Sequence, residues 1–245
     1  MHVLKSFNTR AFKREQPDSP ELMLQIVADS IARHEPVPFV MYWGKGLRPV
    51  LAPPERACLD YLASMVGRIS NAYSHGGKLS LVFTDTHATL NGHSVESIRS
   101  YFEDLTQTAK DRGFAVHLLS TMMTNSGIGP DSETATLMPS ADLLASLRVS
   151  ASKWFKGEGT AEEGAIRYFR ANMVERKVME VVFPRSIFVT FNGSQLRPLF
   201  PDLLPIFYMY SLRHGVSDKP WFLPPDFTIG EPRTKAPCVE VAHPA

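Results

Sequence analysis

The amino-acid sequence predicts an α/β protein in which helices flank a mostly parallel sheet. Short apolar runs typical of buried strands alternate with longer stretches whose apolar residues recur at spacings of three and four. Short turns join them, a rhythm typical of parallel strands connected by crossover helices. Polar residues gather where several predicted strands end, which is where open α/β sheets bind ligands. The sequence therefore predicts a Rossmann-like sheet.

The first half of the chain predicts three strands separated by helices. An N-terminal lead-in, residues 1–18, is mixed and charged and predicts irregular structure. Prolines suited to a first helical turn and apolar stripes at helical spacing predict an N-terminal helix and two further helices. Apolar runs that stop at polar residues predict the strands. In chain order these elements are helix 20–31, strand 39–42, helix 53–73, strand 79–83, helix 94–109 and strand 115–119.

The second half begins with residues 121–138, which are rich in Thr, Ser, Gly and Pro and predict a mobile loop that is a candidate lid. Residues 224–245 are rich in proline and predict an irregular tail. We expect one α/β domain over residues 1–245. In chain order the regular elements of this half are helix 139–155, helix 160–181, strand 187–191 and strand 206–210.

Composition restricts the class of protein. A net charge of +1 gives no electrostatic reason to expect nucleic acid or an anionic membrane as partner. Two cysteines make no zinc motif, and no run approaches about 18 apolar residues, the length that spans a membrane. The N-terminal residues lack the apolar core of a signal peptide. We therefore expect a cytoplasmic protein with a small-molecule substrate, and a homodimer is compatible with the sequence.

The segment after the second predicted strand is the most informative of the chain. Asp85, Thr86, His87, Asn91 and His93 follow an apolar run directly. A carboxylate at a strand end can transfer protons or orient a hydroxyl, which makes Asp85 a catalytic candidate. Alternatively, Asp85, His87 and His93 could share a metal ion, as in a metal-dependent hydrolase. We expect no metal here, because turns often place such side chains together without a ligand.

The loop after the first strand is the second candidate. Gly44-Lys45-Gly46 lacks the spacing of the dinucleotide fingerprint and of the nucleoside-triphosphate loop. Its glycines could still bring backbone close to an anion, and Lys45 and Arg48 could pair with phosphate or carboxylate. Lys45 is a candidate catalytic residue and Arg48 a candidate substrate-binding one.

Two later segments complete the candidate site. Asn192 and Ser194 follow the strand at 187–191, and they join the first two groups at one sheet edge if the strands are parallel. Tyr168 and Glu175 share one face of a helix. That face either looks into the cleft or forms a solvated charged surface. The candidate catalytic residues are Lys45, Asp85 and Glu175. The candidate substrate-binding residues are Arg48, Thr86, His87, Asn91, Tyr168, Asn192 and Ser194.

The order of these motifs resembles a known family over residues 23–223. A lysine loop follows a strand, Pro53-Pro54-Glu55 starts a helix, Thr84-Asp85 ends a strand, and Pro220-Trp221 closes the region. In this order the chain resembles the isonitrile (isocyanide) synthases of the pyoverdine/dityrosine type. It differs from them at the motifs, with Thr86 where the family has glycine and Phe222 where the family has histidine.

The resemblance implies a biosynthetic enzyme of specialised metabolism that acts on an amino acid or a derivative of one. Its amine would condense with the carbonyl of a ketose phosphate, ribulose 5-phosphate, and its nitrogen would become the isonitrile. Lys45 would hold phosphate or assist the carbonyl, and Asp85 would move protons. A transferase or cyclase that uses S-adenosylmethionine on the same scaffold is the alternative, followed by the metal-dependent hydrolase and a non-catalytic binding protein.

Overall fold

A computed structural model describes residues 2–46, 48–129, 136–200, 202, 204–210 and 219–226. Five parallel strands form a single sheet, which confirms the Rossmann-like α/β fold predicted from the sequence. The strands lie in the order β3-β2-β1-β4-β5. Their bounds are β1 Val37–Trp43, β2 Gly77–Phe83, β3 Ala115–Leu118, β4 Ile187–Thr190 and β5 Ile206–Tyr208.

Helices cover both faces of the sheet, and most of them match the segments with helical periodicity. Prolines occupy the first turns of α2 and α3, and Ser94, Ser140 and Thr160 cap α5, α7 and α8 through side-chain oxygens. The helices are α1 His2–Phe7, α2 Pro20–Arg33, α3 Pro53–Ser70, α4 Asp85–Leu90, α5 Val95–Lys110, α6 Leu119–Ser126, α7 Ala141–Trp154 and α8 Ala161–Val182.

Alternate residues of the strands enter two separate cores. Phe39 and Met41 of β1 pack on the face covered by α1, α2, α3 and α5, whereas Val40 packs on the face covered by α6, α7 and α8. Burial on both faces explains why β1, β4 and β5 read as continuous apolar runs. No described helix is long and apolar enough to cross a membrane.

The strand order reverses beside β1. The chain passes from β1 to β2 on one side and returns to place β4 on the other. Crossover connections leave in opposite directions at such a point, so a crevice opens at the carboxyl ends of the two strands. The segments after β1, β2 and β4 therefore meet at one edge of the sheet.

The structure differs from the sequence prediction in three short segments. The predicted irregular lead-in contains α1, whose Val3 and Phe7 lie one turn apart and are buried in the core. The segment after β2 forms helix α4 rather than a loop. The predicted mobile loop at 121–138 begins as α6, anchored by buried Leu119 and Met122. Residues 130–135 of that loop and 227–245 of the tail lie outside the described residues.

Candidate functional site

A cavity of about 870 Å³ opens at the carboxyl ends of β1 and β4. Its wall combines the segments after these strands, faces of α4, α7 and α8, and residues 219–226, which we call the C-terminal strap. Polar and charged side chains on the wall include Lys45, His87, Asn91, Lys153, Tyr168, Asn172, Glu175, Asn192 and Lys219.

Among the described residues that line the cavity, Glu175 is the one carboxylate. Its side chain is only 2% exposed, and its Oε1 accepts a hydrogen bond of 3.2 Å from Thr86 Oγ1. His87 Nδ1 lies in close contact with the same Oε1. Oε2 receives no hydrogen bond from the described residues, so one oxygen of this buried carboxylate remains available to a ligand in the cavity.

The neighbours of His87 determine its proton position. Asn172 Nδ2 donates to the Tyr168 carbonyl at 2.7 Å, which fixes the orientation of that amide. The same nitrogen lies 3.1 Å from His87 Nε2, so Nε2 accepts and the ring proton is on Nδ1, directed at Glu175. The Tyr168 ring stacks on His87 with centroids 5.8 Å apart. His87 is thereby held as a donor to the carboxylate.

Tyr42 connects Glu175 to the sheet. Its hydroxyl donates to the Glu175 main-chain carbonyl at 2.6 Å, and burial raises the pKa of Tyr42 well above its usual value. The hydroxyl therefore stays protonated as a donor at neutral pH. Since Tyr42 belongs to β1, this bond sets the position of α8 against the carboxyl end of the central strand.

Lys45 lies in the loop after β1 and is 3% exposed. Its Nζ donates to the Gly46 and Arg48 carbonyls at 2.9 and 3.1 Å. Burial lowers the pKa of Lys45, an effect that Glu55 opposes. Lys45 lines the cavity, and its third N–H is left for a ligand because an ammonium group has three donors.

Arg48 lies away from the cavity wall and holds the C-terminal strap. Its guanidinium donates to the Leu223 carbonyl through both Nη1 and Nη2 at 3.0 Å, and its Nε pairs with Glu55 at 3.1 Å. Both glycines of the loop face the strap as well. A Cβ on Gly44 would lie 2.9 Å from the Trp221 indole nitrogen, and one on Gly46 would lie 2.4 Å from the Trp221 carbonyl oxygen. Because Gly44 and Gly46 have no side chain, Trp221 can pack directly against the loop.

The strap supplies site residues that the sequence analysis missed. Lys219, Trp221, Phe222 and Pro224 line the cavity, and the Phe222 ring stacks on Trp154 with centroids 4.2 Å apart. Two features of the sequence point to this segment, namely its two aromatic residues and the Pro-Trp pair of the family resemblance.

The remaining predicted residues divide between the cavity and other positions. Asn91 and Asn192 line the cavity. Asp85 lies off the wall, and its Oδ1 accepts a hydrogen bond of 3.1 Å from the Ser120 amide in the first turn of α6. Ser194 bonds to Glu15 through its amide and hydroxyl, at 2.9 and 3.0 Å. The structure therefore brings most of the predicted set together but directs Asp85, Arg48 and Ser194 to other partners.

Two polar atoms on the wall are buried without a hydrogen-bond partner among the described residues. They are the Tyr168 hydroxyl and the Asn91 Oδ1. Unpartnered buried polar groups are rare in folded proteins because each costs about 1–3 kcal/mol. Both atoms are therefore candidates for contact with a bound molecule. Within the described residues, no three His, Cys, Asp or Glu side chains group as metal ligands would.

Comparison with known proteins gives matches at the level of structure. No protein-family model and no curated protein matches the sequence. The PvcA protein from Pseudomonas aeruginosa matches with a TM-score of 0.67 and 18% identity, over 90% of this chain and 86% of that one. Tyrosyl-tRNA synthetase from Archaeoglobus fulgidus matches with a TM-score of 0.56 and 11% identity, over 86% of this chain and 64% of the synthetase. At these identities the likeness establishes the fold.

Proposed function

We propose that this protein is a biosynthetic enzyme that acts on an amino acid or an amino-acid-derived substrate. The observation that carries the proposal is the buried Glu175 carboxylate at the switch point of the sheet, with one oxygen held by Thr86 and His87 and the other free for a ligand. An ammonium group is the natural partner of such a carboxylate, since it supplies the missing charge and donors.

The chemistry that fits this arrangement is condensation of the substrate amine with the carbonyl of a ketose phosphate. Glu175 would take a proton from the ammonium, and the free amine would then add to the carbonyl. After addition a proton moves from the nitrogen to the former carbonyl oxygen, and the same carboxyl would return its proton to that hydroxyl, so that water leaves and the protonated imine forms. His87 would stabilise the carboxylate form by its Nδ1 proton.

The size of the cavity supports a reaction of two molecules. A volume of about 870 Å³ lies near the upper end of the roughly 300–1,000 Å³ found for drug-sized ligands. A single amino acid would leave most of it filled with water. Ribulose 5-phosphate beside an amino acid uses the space, and isonitrile formation is the reaction that joins them in the resembled family.

The fold supports the same proposal. PvcA, the structural match with a TM-score of 0.67, is related to the pyoverdine-type isonitrile synthases. The sequence resemblance over residues 23–223 points to that family independently of the coordinates.

Mass spectrometry of reaction mixtures tests the proposal. The purified protein is incubated with the twenty amino acids and either ribulose 5-phosphate or S-adenosylmethionine, and products are compared with those of Glu175→Gln. We expect an isonitrile that forms with the sugar phosphate and is lost in the variant. Glu162→Gln is the matched control, because Glu162 lies on the same helix and, among the described residues, pairs only with Arg148 at the surface.

The outcomes separate the alternatives. Product formed with S-adenosylmethionine alone would replace the isonitrile reaction by a transferase or cyclase on this scaffold. Activity abolished by exhaustive chelation would favour the metal-dependent hydrolase. Tight binding of an amino acid without product under any condition would indicate a binding protein and would refute the enzymatic proposal.

A further inference from the structure

Lys219 is a charged side chain on the cavity wall without a charged or hydrogen-bonding partner among the described side chains. It is half-buried and lines the cavity, and no hydrogen bond or ion pair joins it to any described side chain. Its Nζ lies 5.9 Å from the centre of the Trp221 ring. Burial lowers the pKa of Lys219 to about 8, although the charge of Glu175 opposes the shift. A half-buried ammonium of this kind is costly unless a ligand supplies an acceptor.

The residues that follow Lys219 in the strap are held by contacts with the loop after β1 and with α7. Arg48 donates hydrogen bonds to the Leu223 carbonyl. Trp221 packs against the two glycines after β1, and the Phe222 ring stacks on Trp154. Lys219 directly precedes these contacts in the chain. A side chain held by anchored backbone loses less entropy on binding than one on a loose tail.

The charges on the wall favour an anion. Among the described residues that line the cavity, Lys45, Lys153 and Lys219 are cationic, and Glu175 is the carboxylate. Lys45 already donates to two carbonyl groups, and the Lys153 side chain is exposed. An excess of positive charge in a half-enclosed cavity raises the local concentration of anions. Lys219 is partly buried and none of its three donors bonds to a described residue, whereas Lys45 has one donor left.

We propose that Lys219 binds the phosphate group of a sugar-phosphate reactant. This inference rests on the proposed function and extends it, because it assigns the two reactants to different parts of one cavity. The amine lies at Glu175, and the phosphate lies at the strap. A phosphate oxygen accepts charge-assisted hydrogen bonds from an ammonium group, which are about twice as strong as neutral ones.

The protonation of Lys219 and the charges around it determine how anion binding depends on pH. Lys219 is cationic below a pH of about 8, so anion binding is strong there and weakens as the pH rises through that value. A bound anion favours the charged form and moves the decline upward. The charged and titratable groups on the elements around the strap are Lys45, Arg48, Glu55, His87, Lys153, Tyr168 and Glu175.

Calorimetric titration of the full chain with inorganic phosphate, sulfate and ribulose 5-phosphate tests the inference. We expect Lys219→Met to weaken phosphate and ribulose 5-phosphate binding by about ten- to hundredfold, and Lys219→Arg to restore most of the affinity. Lys177→Met is the matched control, because Lys177 is exposed on α8. Sulfate keeps its charge between pH 7 and 10, so its weakening over that range in wild type reports Lys219 and should be absent in Lys219→Arg.

Several results would overturn the inference. Wild-type protein that binds neither phosphate nor ribulose 5-phosphate, or a folded Lys219→Met variant with unchanged affinity, would remove Lys219 from the site. Loss of affinity for a free amino acid but not for ribulose 5-phosphate would assign Lys219 to a carboxylate. If Lys219→Met does not fold, the sulfate profile of wild type and Lys219→Arg decides. Phosphate bound through Lys219 by a protein that forms no isonitrile would refute the proposed function and leave this inference standing.

Discussion

Replacement of Gly46 by alanine is the sharpest structural test of the contact between the loop after β1 and the strap. The new Cβ would lie 2.4 Å from the Trp221 carbonyl oxygen, about 1 Å inside ordinary contact. That oxygen belongs to the backbone, so no side-chain rotation relieves the overlap. Either the loop and the strap separate by a small shift, or Trp221 leaves its position against Trp43, whose ring centroid is 5.2 Å away.

These two responses set the lower and upper limits of the expected loss in free energy of unfolding. A small shift of packed elements costs about 1–3 kcal/mol, as other overpacked cores do. Complete release of Trp221, which is 6% exposed, would cost about 3–5 kcal/mol, the range for removal of a buried tryptophan side chain. We therefore expect Gly46→Ala to lower the free energy of unfolding by at least about 1 kcal/mol.

Urea denaturation followed by circular dichroism and tryptophan fluorescence measures the effect, and Gly67→Ala is its control. Gly67 lies exposed within α3, and a Cβ built there meets no heavy atom within 4 Å. Because alanine is the better helix former, Gly67→Ala should raise the free energy of unfolding by about 0.5–1 kcal/mol. The same chemical change thus has opposite signs at the two sites. A Gly46→Ala variant as stable as wild type would refute the packing of the strap against this loop.

Three further predictions concern the charged side chains. Glu175→Gln keeps the shape of the carboxylate without its charge and should lower kcat/KM by about 10²–10⁴, with Glu162→Gln unchanged; a loss below about threefold would contradict proton transfer by Glu175. Asp85→Ala removes an acceptor at the start of α6 and should lower the free energy of unfolding by about 1 kcal/mol, a loss that thermal denaturation would reveal. Arg48→Met leaves Glu55 buried without its cation. It should cost about 3–5 kcal/mol near neutral pH.

The pH dependence of Arg48→Met follows from the shift at Glu55. Burial already raises the pKa of Glu55, and Arg48 opposes that rise. Without the guanidinium the folded-state pKa rises further, so the folded protein takes up a proton more readily than the unfolded chain. The defect should therefore be largest above the folded pKa and shrink as the pH falls toward the ordinary range of a glutamate. A defect independent of pH in urea titrations would show that Glu55 does not cause it.

The central strands β1 and β4 were predictable because burial on both faces gives a continuous apolar run in the sequence. Each of the first three predicted strands is an apolar run that stops at polar residues or at the turn of the next helix, and all three appear in the structure within a few residues. Short elements were less predictable. Helix α1 has six residues, less than two turns, and its buried residues are Val3 and Phe7. A periodicity argument needs more turns than this helix has.

The candidate site was predictable where it lies on strand ends and less so where tertiary contacts define it. Lys45 and Asn192 follow β1 and β4, and the parallel order brings them to one edge. The sequence did not decide whether Glu175 faces the cleft or the solvent, because its burial depends on how α8 packs on the sheet. Nothing in the sequence pointed to Lys219 itself, since the neighbouring Trp221 is placed by contacts with Gly44 and Gly46, about 175 residues earlier in the chain.

Glu55 and Glu175 are two buried carboxylates near the loop after β1, and their hydrogen bonds suit one for a structural role and the other for ligand binding. Glu55 is fully buried, and both of its oxygens are occupied, by the Tyr101 hydroxyl on one side and by the Ala52 amide and Arg48 on the other. Glu175 is buried to almost the same degree, yet one of its oxygens receives no hydrogen bond from the described residues and faces a cavity. Because desolvation of a carboxylate is costly, a fully partnered one stabilises the fold, whereas a partly partnered one is able to bind a cationic ligand. Sequence composition and residue spacing do not distinguish Glu55 from Glu175, whereas their hydrogen bonds in the structure do.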